Sequence, residues 1–121
     1  MPLIKAMRRG VSENFLNTVI SPGLTSSPFA IPQRDAPGRK VSWSTRWGVN
    51  PATVNIVLEG AIVSGASNDW GSGTSWAVLD TTTAVTGETR FLPDPIAVGA
   101  LRVRVVSVTG GDDVIVDVLI N

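Results

Sequence analysis

The chain contains no cysteine, no histidine and no tyrosine, and its lysines are limited to Lys5 and Lys40. Without cysteine there is neither a disulfide framework nor a thiolate metal site. Without histidine, the commonest general base and the commonest metal ligand are both missing. Catalysis would have to run on carboxylates, on the two lysines, or on hydroxyls with no imidazole beside them. We therefore expect a protein that is not an enzyme and that carries no cofactor and no metal. Nor does any stretch approach the roughly 20 uninterrupted apolar residues of a membrane helix, so a soluble protein with no membrane contact is expected. Behind Lys5, Arg8 and Arg9, residues 10–17 supply no apolar run, and the N-terminus reads as mature rather than as a signal peptide.

What is present is 121 residues of 43% apolar composition, enough for one domain with one ordinary core. The net charge is zero, but unevenly distributed. Residues 1–48 hold seven basic groups (Lys5, Arg8, Arg9, Arg34, Arg39, Lys40, Arg46) against Glu13 and Asp35, a balance of +5. Residues 49–121 hold three basic groups against eight acidic ones, a balance of −5. Such a split favours docking on an acidic partner or on the acidic part of a neighbouring copy. Mutual attraction of the two halves within one molecule is the simpler alternative.

Prolines at positions 2, 22, 28, 32 and 37 fix φ and remove donors, so residues 1–37 read as an extended basic arm. Within it, Ser12 is placed to cap a short helical turn through Asn17, and residues 17–20 can make a brief strand. From Gly38 to Asn121 the texture is that of strands, with period-two alternation bounded by Gly, Asn, Asp and Pro. Val41, Trp43, Thr45 and Trp47 share one face of a strand. Val54, Ile56, Leu58 and Ile62 share another, and Trp76, Val78 and residues 88–92 continue the pattern. Leu101, Val103 and Val105 alternate with Arg102 and Arg104, and the apolar parity then switches at Val106 and Val108, as an inserted β-bulge would produce. Gly110, Gly111, Asp112 and Asp113 read as a hairpin turn. The last strand sets Val114, Val116, Val118 and Ile120 against Ile115, Asp117 and Leu119, and its second face is too apolar to be fully exposed. Six to eight strands and no helix predict an all-β fold, an antiparallel, jelly-roll-like β-sandwich over residues 38–121.

Candidate chemistry is thin. Glu59 and Glu88 are the carboxylates least like loop residues, and a glycosidase pair is the one enzymatic reading they allow. Asn68 with Asp69, or Asp112 with Asp113, supplies only part of a calcium shell. Gly71, Ser72 and Gly73 lack the lysine of a phosphate loop. The basic arm can neutralise phosphates, but seven charges over 48 residues are a sparse footprint for nucleic acid, which is not expected as a partner. Alternation puts Trp43, Trp47 and Trp76 in the core. Trp70, in the polar loop from Ser67 to Ser75, is the tryptophan placed for a ligand or subunit contact. The interface candidates are Lys5, Arg8, Arg9, Phe15, Phe29, Arg34, Arg39, Trp70, Ile115 and Leu119.

The succession VNIVLEG (residues 54–60), WAVLD (76–80), TGE (86–88), LRVRV (101–105) and TGG (109–111) resembles small β-sandwich structural proteins of tailed bacteriophages. Among these are capsid decoration (cement) proteins and related tail or fibre modules. The resemblance covers residues 50–121 and leaves the arm uncovered. It implies a virion protein on the capsid surface that binds and stabilises the major capsid protein lattice or another virion protein, with a homo-oligomer, a trimer by preference, as the working form. The alternative it implies is a carbohydrate- or receptor-binding module of a tail or fibre, using Trp70.

Overall fold

Alternating side chains suit a sheet with one face on a core and the other turned outward, and in this chain two such sheets face each other. The computed structural model describes residues 5–31, 39–62 and 74–121, and among these there are nine strands and no helix. They are β1 (Lys5–Ala6), β2 (Glu13–Val19), β3 (Phe29–Ala30), β4 (Val41–Trp47), β5 (Pro51–Ala61), β6 (Ala77–Thr82), β7 (Glu88–Phe91), β8 (Ala100–Gly110) and β9 (Asp113–Ile120). Seven of them have four or more residues, within the six to eight expected. One sheet has the order β1-β3-β8-β5-β6 and the other β2-β9-β4-β7. All pairs are antiparallel except β1 with β3. The architecture is a β-sandwich.

The core lies between the sheets. Ile56 and Leu58 of β5, Leu101, Val103 and Val105 of β8, and Val114, Val116, Val118 and Ile120 of β9 are all essentially without solvent exposure. Each such side chain stabilises the fold by about 1.5–3 kcal/mol relative to an exposed position. The parity switch in β8 is a bulge: Asn55 pairs with Ser107 and Ile56 with Val105, which leaves Val106 unpaired and exposed. Ile62, grouped by parity with the core, lies beyond the end of β5 and is 87% exposed. Alternation does not reveal where a strand stops.

The N-terminal segment is extended, and its described part lies on the chain's own sandwich. Where a helical turn was expected from Ser12 to Asn17, β2 pairs with β9 instead, because sheet pairing satisfies more backbone groups than one isolated turn. A register shift between Asn14 and Leu16 turns both Phe15 and Leu16 inward. Met7 is fully buried as well. The boundary expected at residue 37 falls within residues 32–38, outside the described residues.

Gly110 and Gly111 do form a turn, with φ of 74° and 89°, values glycine adopts without steric cost. It is not a hairpin, however. β8 and β9 belong to different sheets, so this turn is an arch across the sandwich. Of the successive strands, β5 and β6 alone stay in one sheet, and every other connection crosses over.

Candidate functional site

Two side closures hold the sheets together and decide which residues are left for the surface. On one side, Phe15 of β2 stacks on Phe29 of β3, with centroids 4.1 Å apart and planes inclined by 16°. Beside them Lys5 Nζ meets Glu13 Oε2 at 2.8 Å and lies 5.9 Å from the Phe29 ring centroid. Both phenylalanines are buried, so these two interface candidates are core residues that join the two sheets.

On the other side the closure is polar. The Trp43 indole N–H donates to Asp80 Oδ2 at 2.8 Å, and Arg90 donates to both oxygens of Asp80, at 2.8 and 3.0 Å. Arg90 also reaches Glu88 Oε1 at 3.2 Å, and the Thr82 hydroxyl donates to that same oxygen. Burial alone would raise the Asp80 carboxyl, but the hydrogen bonds from Arg90, Trp43 and the Thr81 backbone outweigh it and hold its pKa below the usual value. The Asp80 bonds correspondingly raise that of Arg90. Sequence reading missed this cluster, because Asp80, Glu88 and Arg90 meet only once β6 and β7 face each other across the sandwich.

Glu59 and Glu88, the carboxylates singled out for a glycosidase, lie in different sheets and are each engaged by arginine. Glu59, almost fully buried, accepts from Arg102 Nε at 2.9 Å and from Arg104 Nε and Nη2 at 3.3 Å each. The Arg102 guanidinium in turn sits 4.3 Å from the ring of Trp76. Trp43 is a core residue, Trp47 is partly buried against the core, and Trp76 is half-buried.

The remaining interface candidates divide by exposure. Arg8 and Arg9 are exposed in a turn, whereas Arg39 is buried. Ile115 and Leu119 are half-buried on the outer face of the four-stranded sheet, where β9 runs between β2 and β4. Arg34 and Trp70, with the adjoining Asn68, Asp69 and glycines 71 and 73, lie outside the described residues. On that same outer face a shallow groove of about 140 Å³ is lined by Ser12, Ser42, Ser44, Thr89, Asp117 and Leu119. It is smaller than the roughly 300 Å³ at which ligand pockets begin. Among the described residues no three acidic side chains converge as a metal site, and no helix is long and apolar enough to cross a membrane. Exposed apolar side chains do occur, namely Phe91, Ile62, Val19, Val49 and Val78, none of which the alternation marks as surface residues.

No protein-family model matches this chain, and no curated protein sequence does. Among solved structures it is similar to the crystal structure of the SPBc2 prophage-derived protein YomS, with a TM-score of 0.54 and 13% sequence identity over 92% of each chain. The likeness is one of fold. It runs nearly end to end, so it includes strands that the expected division assigns to an arm.

Proposed function

We propose that this chain is a non-enzymatic structural protein of a bacteriophage particle, and that it serves as a head decoration protein bound to the major capsid protein lattice. The observation that carries the reading is the end-to-end likeness to a prophage-derived protein, together with the strand motifs of residues 50–121. The physical features agree with such a role. A decoration protein needs a rigid body and surfaces for neighbours, and here both sides of the sandwich are closed by specific contacts. The carboxylates that catalysis would require are held in ion pairs with arginines. In this reading the working form is a symmetric oligomer, a trimer by preference, on the capsid surface.

Co-sedimentation tests the proposal. Purified protein mixed with capsid shells that lack it is expected to pellet with the shells and to saturate at a fixed ratio to the major capsid protein. Protein that stays in the supernatant at all concentrations rules out the head assignment. Binding to tails instead would move the protein to another part of the particle.

A further inference from the structure

Most described charges are used inside the molecule. Glu13 pairs with Lys5, Asp117 with Arg46, Asp80 and Glu88 with Arg90, and Glu59 with Arg102 and Arg104. Arg8, Arg9, Lys40, Asp94, Asp112 and Asp113 enter no salt bridge among the described residues. These six fall at two opposite ends of the sandwich.

One end is where β9 finishes. Arg8 and Arg9 sit in a turn whose Gly10 N–H donates to the Ile120 carbonyl at 2.8 Å, and Lys40 and Asn121 exchange backbone hydrogen bonds at 3.0 and 2.9 Å. Asp94 is close by, since its neighbours Leu92 and Ile96 donate to the carbonyls of Val41 and Arg39. Three free cations therefore face one free acid. The other end is where β9 begins: Ile20 N–H donates to the Asp112 carbonyl and Gly48 N–H to that of Asp113, both at 3.0 Å. Asp112 and Asp113 are exposed there, with none of the free cations beside them.

The eight residues of β9 separate these ends by about 25 Å at the rise of an extended strand. That is about three Debye lengths at physiological ionic strength, so the two sets cannot neutralise each other within one molecule. Both ends also expose apolar side chains, Val19 (63%) and Val49 (58%) at the acidic end, Ile62 (87%) and Phe91 (76%) at the basic end. An acidic ligand would complement the basic end alone. A second copy complements both.

We propose that copies of this chain associate head to tail, the end bearing Arg8, Arg9 and Lys40 of one copy seating on the end bearing Asp112 and Asp113 of the next. Contact between identical ends would oppose like charges, which disfavours a two-fold dimer through either end. A head-to-tail contact is heterologous and closes into a ring when the rotation between copies permits. The inference goes beyond the virion reading and does not depend on it.

Charge reversal tests it on the full chain by sedimentation velocity. The wild type is expected to self-associate at about 50 mM salt and to dissociate at about 500 mM, where screening is several times stronger. Arg8→Glu with Arg9→Glu has two acidic ends, and Asp112→Lys with Asp113→Lys has two basic ends. Each is expected to weaken self-association about tenfold or more, and a mixture of the two to restore it, because each end again finds its opposite. Circular dichroism checks that both variants fold. If either does not, Arg8→Gln with Arg9→Gln and Asp112→Asn with Asp113→Asn replace them, each again expected to weaken association. A monomeric wild type at low salt, association that survives either substitution in a folded variant, or reversed variants that fail to restore each other overturns the proposal. None of these outcomes bears on whether the protein is found in a particle.

Discussion

The Arg90 guanidinium on β7 binds both oxygens of the Asp80 carboxylate on β6, at 2.8 and 3.0 Å, and so ties the free edge of one sheet to the free edge of the other. Asp80→Asn removes the charge at the centre of this bridge. Because Arg90 is 38% exposed and partly screened, the expected loss is about 1–2 kcal/mol at neutral pH, measured by urea unfolding.

The same pair makes stability depend on pH. The Asp80 carboxyl has a folded pKa below its ordinary value of 3.8, so its contribution is present above about that pH and is lost as pH falls through the lower folded value. The stability difference between wild type and Asp80→Asn is expected to be constant from neutral pH down to the ordinary carboxylate range and to shrink below it. A difference that grows on acidification would contradict the bridge.

Glu59 lies between two guanidiniums with its side chain 5% exposed. Glu59→Gln leaves Arg102 and Arg104 facing each other without a counter-ion and is expected to cost about 2–4 kcal/mol. Arg104→Ala should cost less, because Arg102 still satisfies the carboxylate. Thermal unfolding of the two variants side by side checks the order.

The stacked pair of Phe15 and Phe29 makes residues 5–31 part of the domain. Phe15→Ala is expected to destabilise by about 3–4 kcal/mol. Deleting residues 1–31 removes β2 and exposes the flank of β9, and circular dichroism should find the product unfolded. Such a deletion therefore tests folding before it tests any anchoring role.

Gly87 has φ of +81°, and a Cβ there would come within 2.5 Å of the Thr45 carbonyl oxygen. Gly87→Ala is expected to cost about 1–3 kcal/mol, because both the backbone conformation and the contact with β4 resist it. Chemical denaturation would measure the shift.

Much of the fold was legible because alternation reports which face of a strand is apolar. The inward faces of β4, β8 and β9, and the bulge at Val106, could be read directly from parity. Partners across the sandwich could not. The turn at Gly110 and Gly111 has the residues of a hairpin, yet it is an arch, since the local backbone demand is alike in the two cases. The strand from Glu13 to Val19 was obscured by the bulge that turns both Phe15 and Leu16 inward and so breaks the alternation. Among the candidate surface residues, Arg8 and Arg9 are exposed, while Phe15 and Phe29 are spoken for by the core. The clusters around Asp80 and Glu59 depend on which strands become neighbours, which residue types alone do not encode.

The proposed place of this chain in a phage particle follows from a likeness of fold and from strand motifs, and particle composition decides it. The decisive measurement is quantitative mass spectrometry of density-purified particles released from cells that carry the gene. The protein is expected in full particles at a fixed stoichiometry to the major capsid protein, retained through repeated banding. Its absence from banded particles, with the protein found only in the lysate, would contradict a role in the particle.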